Sequence, residues 1–106
     1  MSGIGEALDA LMATVERRKG ADPEESYTAS LLASGRERCA KKFGEEAVEA
    51  ALAGALGRSR ELTSEAADVL YHLGVLMAAN GVDWDAVARE LEARTGQSGL
   101  EEKAGR

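Results

Sequence analysis

Residues 65–79 read Glu65-Ala66-Ala67-Asp68-Val69-Leu70-Tyr71-His72-Leu73-Gly74-Val75-Leu76-Met77-Ala78-Ala79, and their reading decides the fold. The stretch is apolar nearly all round, the pattern of a helix buried among other helices. Its helix begins near Ser59, a residue able to cap it, and stops at Asn80-Gly81, a pair suited to a left-handed C-terminal cap. Downstream, Asp83 caps a helix over Trp84 to Thr95 whose Trp84, Val87, Ala88 and Leu91 share one face. Gly96 ends it, and periodicity assigns nothing to the tail at 97–106. Upstream, Arg36 to Leu56 is a long helical pattern crossed by Gly44 and Gly54, each costing about 1 kcal/mol relative to Ala, and closed by Gly57. Before it, a short helix covers Tyr27 to Ala33 and ends near Gly35. The turn at 21–26 is set by Pro23, and Ile4, Leu8, Leu11, Met12 and Val15 mark a first amphipathic helix that Gly20 stops. No segment alternates as a strand does, so the fold class is all-α. Short connections predict an antiparallel bundle of four main helices.

With 106 residues, residues 1–106 are expected to form a single domain, and a chain of this size buries little beyond what stability needs. Completion of the core by a second copy, a homodimer, is the matching expectation. The net charge of -6 disfavours a nucleic-acid partner, whose phosphates need a basic surface. One cysteine cannot form an intramolecular disulfide, and the first residues lack the basic and apolar regions of a signal peptide. A cytoplasmic protein without a membrane span is expected.

The acids carry the chemistry. Glu65, Asp68 and His72 lie on one stripe of the apolar helix, with Glu61 one turn earlier and no Lys or Arg three or four residues from Glu65 or Asp68. A carboxylate taken from water costs several kcal/mol unless it is paired, protonated or bound to a cation. The preceding helix adds Glu45, Glu46 and Glu49 within a sector of about 100°, so two antiparallel acidic stripes face one cleft. A divalent cation is the natural neutraliser. Oxygen ligands select Mg²⁺ or Mn²⁺, and the single His and single Cys argue against zinc and against a di-iron bundle. Arg38 and Lys42 share the acidic sector and Lys41 borders it, an arrangement that suits a polyphosphate held by metal and cations together. The competing reading is a solvated face on which Lys42 pairs with Glu45 or Glu46 within its own helix. Tyr27, Thr28 and Ser26 are candidates to touch a sugar or phosphate. His72 reads as a packing or supporting group, and Cys39 as a small core or interface residue.

The segments Lys41-Lys42-Phe43-Gly44-Glu45-Glu46-Ala47-Val48-Glu49 and Glu65-Ala66-Ala67-Asp68 resemble the ExxE…ExxD signature of the all-α, MazG-like nucleotide pyrophosphohydrolases. With Ser26-Tyr27-Thr28, Tyr71-His72 and Arg94-Thr95-Gly96-Gln97-Ser98-Gly99-Leu100, essentially the whole chain is similar to the phosphoribosyl-ATP pyrophosphatase family of histidine biosynthesis. The resemblance implies Mg²⁺ on Glu46, Glu49, Glu65 and Asp68, with Glu45 a further ligand or the base that orients water. It also implies hydrolysis of the α–β phosphoanhydride of 1-(5-phosphoribosyl)-ATP, a dimer with sites near its interface, and a form without the cyclohydrolase fused in many relatives. In the mechanism expected, Glu45 and Glu46 act on the attacking water while Arg38, Lys41 and Lys42 offset charge on the leaving pyrophosphate. A house-cleaning pyrophosphohydrolase of other NTPs or dNTPs, or a non-catalytic helical interaction module, are the alternatives.

Overall fold

The computed structural model describes residues 3–95, so Gly96 and the tail at 97–106 lie outside the described residues. Five α-helices follow one another: α1 (Ile4–Arg18), α2 (Tyr27–Ser34), α3 (Arg36–Ala55), α4 (Ser59–Ala79) and α5 (Trp84–Arg94). Among the described residues there is no strand, and the all-α expectation holds. Each boundary has a local cause. Ser26 caps α2 by accepting the Ala29 N–H at 3.1 Å, and Asp83 caps α5 by accepting the Ala86 N–H at 2.9 Å. At the end of α4, Gly81 takes a φ of 70° and lets the Val82 N–H reach back to the Met77 carbonyl at 2.9 Å. Gly57 does the same after α3, with a φ of 71° and the Arg58 N–H on the Ala53 carbonyl at 3.0 Å. This tight closure leaves Arg58, not Ser59, at the N-cap of α4; Ser59 is already helical, which corrects the expected cap.

Helices α3 and α4 form an antiparallel hairpin. Its register is visible where Leu62 of α4 lies against Gly54 of α3, which runs on helically through both Gly44 and Gly54. The core sits at one end of this hairpin. Val15 of α1, Leu31 of α2, Cys39 of α3 and Val75 and Ala78 of α4 are buried together, and Leu11, Met12, Leu32 and Tyr71 pack around them. Cys39 belongs to this core, its thiol donating to the Leu31 carbonyl at 3.3 Å. Among the described residues, the other end of the hairpin is left largely uncovered on one face. Val48, Leu52 and Leu56 form a ridge of one residue per turn along α3, 60%, 59% and 65% exposed. The radius of gyration, 15.6 Å, exceeds the roughly 13 Å of a compact chain of this length.

Residues 65–79 therefore divide. His72, Gly74, Val75, Met77 and Ala78 are buried, whereas Ala66, Ala67 and Asp68 are exposed. The expectation of a helix enclosed along its whole length fails here, because an all-round apolar pattern does not say whether the covering surface comes from the same chain. Helix α5 packs lightly. Trp84 and Val87 are half-buried, Leu91 is exposed, and an apolar groove of about 380 Å³ runs beside them between α1, α4 and α5.

Candidate functional site

The α3–α4 hairpin decides where the acids meet. Glu46 and Glu49 are three apart on α3 and so share a face, and the antiparallel partner brings Glu65 opposite them. One carboxylate oxygen from each of Glu46, Glu49 and Glu65 lies within 4.8 Å of the other two. Glu65 Oε2 is buried and has no hydrogen-bond partner. Burial and then the charges of Glu49, Glu46 and Asp68 push the Glu65 carboxyl above its ordinary range. Glu46 is also raised, by burial first and then by Glu49, while nearby His72 works in the opposite direction and Asp68 adds to the rise. Two groups that resist ionisation beside a third carboxylate are an arrangement short of positive charge.

A hard divalent cation fits this donor set. All the donors are oxygens, and since an octahedral Mg²⁺ with bonds of about 2.1 Å spans ligand atoms up to about 4.2 Å apart, oxygens within 4.8 Å of one another need draw in by at most roughly 0.6 Å to share one ion. The orphaned Glu65 Oε2 is the atom such an ion would satisfy. The ion pairs formed by the described residues lie elsewhere: Lys19 with Glu16, Lys42 with Glu45, Arg58 with Glu61 and Arg94 with Glu90.

The remaining candidate residues are distributed unevenly. Asp68 is exposed, one turn beyond Glu65, close enough for its charge to act on Glu46 and Glu65. Glu45 stands outside the three-carboxylate group and accepts from Lys42 Nζ at 3.2 Å, the pairing that the solvated-face reading expected. That contact, and the negative charge around it, raise the Lys42 pKa. Arg38 and Lys41 are exposed on α3. Glu61, one turn before Glu65, pairs with Arg58 instead of joining the cluster. On α2, Thr28 Oγ1 is hydrogen-bonded to the Tyr71 hydroxyl, so it braces α2 against α4. Tyr27 is 52% exposed and its hydroxyl lies 3.4 Å from His72 Nε2.

The sequence reads His72 as a packing or supporting group but does not disclose its contact with Tyr27. His72 is the one buried polar or charged side chain among the described residues, and its Nδ1–H donates to the Asp68 carbonyl at 2.9 Å. The signal was available in part. A histidine four residues after Asp68 on a helix can reach that carbonyl, but its second contact, with Tyr27, spans 45 residues of chain.

Comparison with known proteins places the chain among enzymes, as a hydrolase of a diphosphate bond. The chain belongs to the phosphoribosyl-ATP pyrophosphohydrolase family, whose model matches residues 8–95. Among its relatives, a phosphoribosyl-ATP pyrophosphatase of Cereibacter sphaeroides is 61% identical over 99 residues, covering 93% of this chain and 96% of its own. The protein of the same name from Rhodobacter capsulatus is 59% identical over 100 residues, 94% and 97% of the two chains. That of Ruegeria pomeroyi is 57% identical over 99 residues, 93% and 94% of the two chains. No helix among the described residues is long and apolar enough to cross a membrane.

Proposed function

We propose that the protein hydrolyses the α–β phosphoanhydride of 1-(5-phosphoribosyl)-ATP, releasing pyrophosphate and phosphoribosyl-AMP, as a Mg²⁺-dependent cytoplasmic enzyme of histidine biosynthesis. The observation that carries this reading is the buried, unpartnered Glu65 Oε2 inside a group of three carboxylates. Family membership and the names of the relatives supply the substrate.

Glu46, Glu49 and Glu65 would hold the ion, with Asp68 at its exposed side. Mg²⁺, or Mn²⁺ in its place, supplies charge stabilisation at the phosphoryl oxygens when bound there. Glu45, outside the three, orients the attacking water and takes its proton as the water oxygen bonds to the α-phosphorus. The bond from that phosphorus to the bridging oxygen breaks, and pyrophosphate leaves with the bonding pair. Lys42 tethers the Glu45 carboxylate, and Arg38 and Lys41 are exposed on the same helix within about one turn of it. These three cations offset the charge gathering on the leaving group. Tyr27 and Thr28, at the first turn of α2, border the site and contact the substrate's nucleoside side.

We further infer a homodimer. The exposed ridge of Val48, Leu52 and Leu56 and the small single-chain core favour it, and the ridge lies on the same helix as the acids. Pyrophosphate release from phosphoribosyl-ATP, measured with and without Mg²⁺ beside a panel of NTPs and dNTPs, tests the reaction. Ion-dependent turnover of phosphoribosyl-ATP above the panel is expected. Preference for a dNTP makes the chain a house-cleaning enzyme, and absence of both turnover and any Mg²⁺-induced rise in Tm reduces it to an interaction module.

A further inference from the structure

The chain has only four aromatic side chains, one Phe, one Trp and two Tyr. Three of them, Phe43, Tyr71 and Trp84, are at least half-buried, and Tyr27 alone is exposed, at 52%. An exposed aromatic ring in a chain so poor in them is an expensive place to put one unless something covers it. Its surroundings say what. Lys42 is close enough to Tyr27 for the two to interact electrostatically, and Lys42 itself holds Glu45. On the other side is His72, which lies near Glu46. The open ring thus lies beside Lys42 and His72, next to the carboxylate cluster.

The ring is also held. Its plane lies within 21° of Tyr71, centroids 6.4 Å apart, and His72 meets both rings edge-on, at 75° to Tyr27 and 88° to Tyr71. The Asp68 carbonyl can only accept, so His72 Nδ1 carries the proton shared with it, and in the neutral ring Nε2 is then an acceptor. The Tyr27 hydroxyl, 3.4 Å away, is the donor that meets it. His72 therefore joins the backbone of Asp68 on α4 to the Tyr27 hydroxyl on α2, beside Glu46 on α3.

We propose that Tyr27 is the platform on which the purine ring of the substrate stacks, and that His72 is the positioning residue that fixes the platform beside the carboxylates. This rests on the nucleotide-hydrolase reading but is tested apart from it. Stacking on an aromatic ring is sequence-tolerant and strong, and removing the ring weakens nucleotide binding about tenfold or more.

The test uses the full chain with Mg²⁺. Calorimetric titration with AMP and with pyrophosphate separates base from phosphate. Tyr27→Ala, which deletes no core atom, is expected to weaken AMP about tenfold and leave pyrophosphate within about twofold. In turnover it raises KM with kcat nearly unchanged. His72→Phe keeps the ring and loses the acceptor, and Tyr27→Phe loses the donor. The two should raise KM by the same factor and the double variant by no more than either, while His72→Gln, whose amide oxygen can replace Nε2, restores the wild-type KM. Equal losses of AMP and pyrophosphate in Tyr27→Ala, multiplying effects in the double variant, or a kcat loss with KM unchanged overturn the proposal. Wild-type protein that binds pyrophosphate but not AMP removes the platform and leaves the hydrolase reading standing. AMP binding without hydrolysis of phosphoribosyl-ATP does the reverse.

Discussion

Leu52→Ala isolates the second copy from every other part of the reading. Leu52 is 59% exposed in the middle of the α3 ridge, so most of its side chain gains nothing until another surface covers it. Truncation to Ala removes three carbons, worth about 0.8 kcal/mol each when fully buried, and a little over half of that, about 1.4 kcal/mol, is at stake at the interface. A two-fold axis repeats the loss, so the dimer is weakened by about 3 kcal/mol and its Kd rises about a hundredfold. The single chain keeps its helicity, because Ala is the best helix former and no core contact is touched. Sedimentation equilibrium over a dilution series reads the change directly. Leu91→Ala is the control, since Leu91 is as exposed, at 62%, but lies on α5 beside the groove it shares with α1 and α4 and not on the α3 ridge. A wild-type chain that stays monomeric at about 100 µM, or equal Kd values for Leu52→Ala and wild type, would refute the argument. So would a loss seen only in Leu91→Ala.

Three further outcomes are expected. Glu49→Gln and Glu65→Gln should each abolish the Mg²⁺-induced rise in Tm and lower kcat/KM at least about a hundredfold, with circular dichroism unchanged. Glu46 and Glu65 titrate above the ordinary carboxylate value of 4.5, so the folded chain takes up protons before the unfolded one as pH falls. Ion-free protein should therefore gain Tm from these groups on acidification toward that value and lose it as pH rises through their raised pKa values. The Mg²⁺-induced increment should run the other way, growing as pH rises through those raised pKa values and shrinking on acidification toward 4.5, and an increment independent of pH sinks the assignment. Gly81→Ala forces a Cβ into a left-handed φ of 70° and should cost about 1–2 kcal/mol, lowering Tm by roughly 4–16 °C in thermal melts; an unchanged Tm would show that the turn relaxes.

Much of this molecule was legible in its residues because the helix stops are local chemistry. Gly20, Gly57 and Gly81 each adopt the left-handed φ that ends or follows a helix, and Ser26 and Asp83 each cap the helix they precede. The meeting of Glu46 and Glu49 with Glu65 was legible too, since a turn as short as the one at Gly57 forces α3 and α4 side by side. What the pattern could not reveal depends on distant contacts. Whether Ala66, Ala67 and Asp68 are covered depends on which surfaces pack there, and periodicity is the same with or without such a surface. The choice of Lys42 for Glu45 over Glu46 is a matter of rotamer and solvent, decided below the resolution of a helical wheel. Tyr27 and Thr28 meet His72 and Tyr71 only because α2 folds back across α4.

Glu46, Glu49 and Glu65 also share one unbroken segment of chain, folded over a single tight bend. Bringing them together closes a loop of roughly 20 residues, a small entropic outlay compared with docking α1 or α5. The three-carboxylate cup can therefore take shape on a nascent polypeptide while α5 is still inside the ribosome, and on the proposed reading a divalent cation bound there would act as an early folding ligand as well as an aid to turnover.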